Sequence, residues 1–292
     1  MDFPISGENL SPIYLVALGF IVGIFGGFFG VGGSFLAGPG LFLTGLPMNW
    51  VVGTDVAHIV GKSIVASREH LVRGNVDIKL ALIMAGGTVL GTEGGAQTIQ
   101  YLKQLPVMDK VVGVALIGVL ILISAFMAWE SWTTINRTPP AVRRFPEKVQ
   151  RLKLAPMIKL AESGIESISF WTIVIVGLVA GFMAGFVGGG AGFLRMPLML
   201  YVLGVPTKVA IGTDLVEVAI SASYGTLTHA LKGNVDIMIA LVMHTGAAVG
   251  AQIGVRLTDF FGGPKIRLAF SPLPLVGAAL VVYQLMTGQK MK

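Results

Sequence analysis

The chain alternates long apolar stretches with short polar or glycine-rich interruptions, and the apolar stretches have helical length. Pro12 to about Phe29 predicts the first helix. Ser34 to Leu46 predicts a second, too short to cross a bilayer alone at a rise of about 1.5 Å per residue. Asn49 to Leu71, which carries polar residues, Asp77 to Leu102, and Asp109 to Trp129 complete a first set of five. A second set runs from Ser169 to about Val187, then Gly192 to Leu203, Thr207 to Leu231, Asp236 to Phe260, and Ile266 to about Thr287. Between the sets, residues 130–168 carry seven Lys/Arg against four Glu, with Pro139, Pro140 and Pro146. This segment reads as a basic, partly irregular linker, with an amphipathic surface helix expected around Val149 to Leu160.

The two sets resemble each other. Gly53, Thr54 and Asp55 recur 159 positions on as Gly212, Thr213 and Asp214. His70, Arg73, Gly74, Asn75, Val76 and Asp77 recur as His229, Lys232, Gly233, Asn234, Val235 and Asp236. Upstream, at an offset of 158, the run Gly27 to Leu36 recurs as Gly185 to Leu194. Residues 11–129 form one transmembrane repeat and residues 169–288 the other. Repeats inside an apolar chain are a transporter signature, and the substrate site usually lies where they meet.

Composition puts these helices in a membrane. Of 292 residues, 54% are hydrophobic and 12% charged, with a mean hydropathy of +0.80. Soluble domains carry about 25% charged residues. The 21 basic residues against 15 acidic ones sit mostly in short loops, where they set orientation and do not suggest nucleic-acid binding. There is no cysteine, so disulfides, thiol chemistry and cysteine metal sites are excluded. Met1 to Ser11 is short and acidic and does not look like a cleaved signal.

With the basic linker in the cytoplasm, the Arg68, Arg73 and Lys79 region, Lys208, and the Arg256, Lys265 and Arg267 cluster are also cytoplasmic, as the positive-inside rule requires. Lys232, Lys290 and Lys292 fall outside and depart from it. Five segments per copy is an odd number, so the copies run antiparallel. The expected fold is all-α: a polytopic membrane protein of two inverted five-segment repeats with glycine-broken, partly membrane-spanning helices.

Gly26, Gly27, Gly30, Gly32 and Gly33 crowd into eight positions, as do Gly185, Gly188, Gly189, Gly190 and Gly192. Each glycine costs roughly 1 kcal/mol against alanine in a helix, so the helix should break. Helices restarting at Ser34 and Gly192 would present free N–H groups and a positive dipole end to an anion. Gly32, Gly33, Ser34, Gly190, Ala191 and Gly192 are therefore candidate substrate contacts. The plainer reading of such glycines is close helix packing.

Asp55, His58 and Lys62 share a face at i, i+3 and i+7, and Asp214, Glu217 and Ser221 match them. An ionisable group at mid-bilayer costs about 2.5–3.5 kcal/mol, so these groups should face a cavity or a partner. Asp55, His58, Lys62, Asp214 and Glu217 are candidates for gating or proton coupling. Alternatively, Thr54/Asp55 and Thr213/Asp214 brace the glycine breaks. The hydroxyls of Thr54 and Thr213 are candidate donors to substrate. Arg195, where the first copy has Ala37, has the planar fork that suits a tetrahedral oxyanion. Glu93, opposite Gln252, is a candidate proton carrier or homodimer contact. His244 stands where the first copy has Ala85. Gly74-Asn75-Val76-Asp77 and its copy read as a left-handed helix stop followed by a capping Asp. His70 and His229 are expected to cap the last carbonyls before it.

At these residues the chain resembles the TauE/SafE family of bacterial sulfite and organosulfonate exporters. The resemblance covers nearly the whole chain: the glycine-rich runs ending in Pro39 and Pro197, the Gly-Thr-Asp pair and the Gly-Asn-Val-Asp pair. It implies a multi-pass inner-membrane transporter of small sulfur-containing anions such as sulfite, sulfoacetate or other sulfonates, with no cofactor. An anion channel or an uptake permease for a related oxyanion is the alternative. No nucleophile–base–orienter set and no metal cluster stands out, so an enzyme is not expected.

Overall fold

A computed structural model describes residues 2–31, 34–46, 48–102, 108–136, 144–187, 192–276, 278–279 and 282. The protein is mostly helical, and most of its segments match the apolar stretches. The last, expected from Ile266 to about Thr287, does not, because helix ends at Phe270 and a turn at Ser271 and Pro272, whose ring supplies no N–H, precedes the next helical residues. The first helices are α1 (Pro12–Phe29), α2 (Ser34–Phe42), α3 (Met48–Val72), α4 (Ile78–Leu102) and α5 (Met108–Asn136). After the linker come α7 (Phe170–Val187), α8 (Gly192–Leu198), α9 (Thr207–Leu231), α10 (Ile237–Phe260) and α11 (Gly263–Phe270). A π-helical turn, Met199–Leu203, continues α8 beyond Pro197. Among the described residues, α1, α10 and the Ile117–Asn136 part of α5 are long and apolar enough to cross a membrane. The helices α3, α4 and α9 have 25 residues each, enough to cross about 30 Å of hydrocarbon by length. Their internal polar residues lower their hydropathy.

The helix stops follow local chemistry. Ser11 accepts from the Tyr14 N–H and Pro12 opens α1. Gly30 ends α1 in the left-handed conformation, φ 78°, and its N–H bonds the Gly26 carbonyl. The first expected interruption is present: helix stops at Phe29, Gly30 and Val31 lie outside it, and helix resumes at Ser34. The second falls on 188–191, outside the described residues. Gly32, Gly33, Gly190 and Ala191 lie outside the described residues. Gly74 (φ 69°) and Gly233 (φ 71°) supply the left-handed stops of α3 and α9. Asp77 then caps α4 through the Leu80 N–H, and Asp236 caps α10 through those of Met238 and Ile239.

The linker departs from expectation. Helix α5 continues to Asn136, and the only helical turn near the expected surface helix is the short α6 (Arg144–Gln150). Met157–Leu160 and Ile165–Ser169 form a small antiparallel hairpin, β3 and β4, around Gly164 at φ 67°. The hairpin buries Leu160, Ile165 and Ile168; Ile165 and Ile168 stand three apart, so its apolar positions do not alternate regularly. Asp2–Phe3 and Glu8–Asn9 pair as the equally short β1 and β2.

The chain divides into two compact units that cut across the sequence repeats. One comprises Met1–Ala81 with Ile211–Phe260, and the other Leu82–Ala210 with Phe261–Met291. In the first, α1 and α10 run side by side in the same direction. Gly19, Gly23 and Gly27 lie on the backbone of Met243, Ala247 and Ala251, while Gly246, Gly250 and Gly254 lie on that of Val16, Phe20 and Ile24. In the second, α4 and α7 form a like seam, with Gly87 and Gly91 on Val174 and Leu178 and Gly177 and Gly181 on Met84 and Thr88. Glycine at both sides of a seam lets the backbones approach without side chains between them. In the first glycine run, Gly27 serves packing and Gly30 ends the helix.

Candidate functional site

Within the first unit, α3 lies against α9, and the two run in opposite directions. Gly53 near the start of α3 sits under Asn234 and the Cβ of His229, beyond and within the end of α9. Gly212 near the start of α9 sits under Asn75 and the Cβ of His70 at the other end. Ile59 packs on Val218 and Ala222 between them. The duplicated Gly-Thr-Asp therefore meets the duplicated Gly-Asn-Val-Asp of the other copy. The hydroxyl of Thr54 accepts the Asp236 N–H at 3.0 Å, and that of Thr213 accepts the Asp77 N–H at 2.9 Å. Thr54 and Thr213 thus brace the turns of the opposite copies. Their hydroxyls meet these turns, where one expectation has them bracing the glycine breaks.

One turn further in, α3 carries a buried polar row. Asp55 is 6% exposed, His58 1% and Lys62 2%. His58 Nδ1 lies 3.8 Å from Asp55 Oδ1, an electrostatic contact longer than a hydrogen bond. Lys62 Nζ, both His58 ring nitrogens and Asp55 Oδ1 are buried without a hydrogen-bond partner among the described residues. The ring of His244 on α10 packs directly over Gly61, and its Nδ1 is likewise buried and unbonded. On α9, Asp214 and Glu217 are fully buried. Ser221, which matches Lys62, donates to the Val218 carbonyl of its own helix. The face predicted from i, i+3 and i+7 spacing is therefore an interior face in both copies.

The remaining candidates are placed as follows. Arg195 is 4% exposed within α8, between Leu194 and buried Met196, so it does not reach a surface as a snorkelling residue would. Gly192 opens α8 and Ser34 opens α2. Glu93 is exposed on α4 and accepts from Gln97 at 2.9 Å. His70 does not cap its own helix: its Nε2 lies 3.3 Å from the Gly27 carbonyl of α1.

Sequence reasoning missed a buried polar cluster in the second unit. Arg267 grips Glu130 with two parallel bonds, Nε to Oε2 at 3.0 Å and Nη2 to Oε1 at 2.9 Å. Its Nη1 donates to Thr207 Oγ1 at 2.8 Å. Tyr201 and Thr134 also donate to the Glu130 carboxylate, each at 2.9 Å. This cluster ties the end of α5 and the π-helical turn to the start of α9 and to α11. The segment boundary drawn at Trp129 put Glu130 in the linker and hid it. The only available signal was a single Glu directly continuous with an apolar helix.

Comparisons with known proteins extend these observations. Residues 15–281 match the model of the family described as Sulfite exporter TauE/SafE. The Bacillus subtilis (strain 168) "Probable membrane transporter protein YdhB" is 23% identical over 273 residues, covering 92% of this chain and 99% of that protein. A "Probable membrane transporter protein" of Xylella fastidiosa (strain Temecula1) is 39% identical over 107 residues, 35% of this chain and 39% of its own length. The archaeal "Probable membrane transporter protein MJ0441" of Methanocaldococcus jannaschii is 22% identical over 282 residues. No solved structure matches the chain. With apolar spanning helices, polar residues buried inside them and a family match across nearly the whole length, the chain belongs to the sulfite exporter TauE/SafE family of membrane transporters.

Proposed function

We propose that the protein is a multi-pass secondary transporter that exports small sulfur-containing anions, such as sulfite, sulfoacetate or another organosulfonate, across the bacterial inner membrane. The observation that carries this reading is the family match over residues 15–281. The two copies act as inverted repeats. The opposite directions of α3 and α9 and the exchanged Thr54–Asp236 and Thr213–Asp77 bonds support that arrangement. The substrate contacts proposed are the backbone around Gly32, Gly33, Ser34, Gly190, Ala191 and Gly192, with Arg195. Thr54 and Thr213 accept one bond each and keep their hydroxyl protons for a substrate oxygen. Asp55, His58, Lys62, Asp214, Glu217 and Glu93 serve gating or proton movement. The membrane potential contributes about 2.3 kcal/mol per charge per 100 mV, so a negative interior alone drives an anion outward.

The test is flux of labelled sulfite and sulfoacetate from liposomes holding the purified protein. Saturable flux with trans-stimulation supports the transporter. Flux that never saturates favours an anion channel, and no flux of either compound removes the substrate assignment. Arg195→Ala is expected to weaken binding, and an unchanged affinity removes Arg195 from the site.

A further inference from the structure

We propose that Lys62, His58 and His244 form an oxyanion-binding pocket in the seam of α3 and α10, resting on the reading of the chain as a transporter of small sulfur-containing anions. Lys62 and His58 are 2% and 1% exposed. Their nitrogens and His244 Nδ1 are buried with no hydrogen-bond partner among the described residues. An ammonium offers three donors and no acceptor, and a neutral imidazole offers one donor. Leaving such donors unpaired inside a protein is costly, most of all for a charge. Asp55 Oδ1 lies 3.8 Å from His58 Nδ1, and it too has no hydrogen bond among the described residues. Among those residues the Lys62 ammonium thus has none of its three donors matched by a neighbouring acceptor, and the oxygens of an anionic ligand would match them.

Gly61 gives the trio its geometry. A Cβ there would lie 2.5 Å from His244 Cε1 and 2.6 Å from Nδ1, so any side chain at 61 would push the ring aside. The trio draws on both copies and is not repeated at the matching positions. The second copy has Glu217 and Ser221 at the positions of His58 and Lys62, and the first copy has Ala85 at that of His244. The scaffold contacts, Gly53 and Gly212 or Thr54 and Thr213, are present in both copies. Groups that bind rather than build are expected to escape that symmetry. A sulfite or sulfonate head carries three oxygens, enough to accept from the ammonium and both rings at once.

The test uses full-length protein. Affinity for sulfite is measured by calorimetry in detergent, and KM for sulfite and sulfoacetate by liposome flux. Lys62→Met, which keeps length and removes charge, should raise both constants roughly ten- to hundredfold, the loss expected for one hydrogen bond to a charged group. Gly61→Ala, which displaces the His244 ring without touching a ligand, should raise them in the same direction. Unchanged constants in both variants overturn the pocket while leaving transport intact. Full recovery of affinity in Lys62→Met combined with Asp55→Asn also overturns it, because Lys62 would then be only the counter-ion of Asp55. Sulfite binding that Lys62→Met abolishes, in a protein that moves no sulfur anion, keeps the pocket and overturns the transport reading. Where Lys62→Met does not fold, Gly61→Ala and His244→Gln decide alone.

Discussion

Thr54 and Asp236 stand 182 residues apart and are joined by one buried hydrogen bond, the Asp236 N–H donating to the Thr54 hydroxyl at 3.0 Å. Asp236 in turn accepts from both the N–H and the hydroxyl of Ser6, at 3.1 and 2.7 Å. The start of α10 is thus fixed from α3 and from the N-terminal turn together. The mirror bond, Asp77 to Thr213, does the same for α4.

Removing that acceptor strands a buried N–H. Thr54→Val and Thr213→Val should each cost about 1–3 kcal/mol, whereas Thr54→Ser keeps the oxygen and should cost less. Thermal melting in detergent reads both. Equal melting of the Val and Ser variants would show that the hydroxyl does not hold the turn.

The Arg267–Glu130 pair is bidentate and largely buried, with side chains 13% and 8% exposed. Arg267→Met should destabilise by about 3–5 kcal/mol, because the Glu130 charge is left behind. Glu130→Met with Arg267→Met should recover most of that loss. A melting temperature for the double variant as low as the single one contradicts this.

Glycines within the α1–α10 seam differ from those outside it, such as Gly86 on α4. A Cβ on Gly250 would collide with the Phe20 carbonyl oxygen, whereas one on Gly86 meets nothing within 4 Å. Gly250→Ala should lose about 1–3 kcal/mol from overpacking. Gly86→Ala should be neutral or gain up to about 1 kcal/mol from helix propensity. The two melting curves side by side decide it.

The outer pair is different. Arg73 bonds Asp259 at 3.2 Å and Glu69 at 2.7 Å, with the Asp259 side chain 49% exposed. Asp259→Asn should change stability by less than about 1 kcal/mol, and high salt should erase the difference. A loss of several kcal/mol would mean that this pair latches α3 to α10.

The sequence by itself determined the segments, because long apolar runs and glycine stops act locally. The range of α9 is the one read from the apolar pattern; α4 differs from it by one residue at its start and α3 by one residue at each end. Glycine at 74 and 233 and Asp at 77 and 236 specify a stop and a cap without reference to the rest of the chain. The spacing of Asp55, His58 and Lys62 likewise fixed a common face. The linker hairpin was missed because its strands are only four and five residues long and their apolar positions do not alternate regularly. Only tertiary structure decided what each polar group meets. Thr54 was as well suited to a substrate as to a turn, and His70 as well suited to its own helix as to Gly27. Glu130 looked like part of a surface linker. Pattern along a chain reports which groups are buried on one side of a helix, but a hydrogen bond depends on which helix comes to that side. That choice is made by close approach along glycine seams such as Gly19, Gly23 and Gly27, where backbone shape rather than local sequence selects the neighbour.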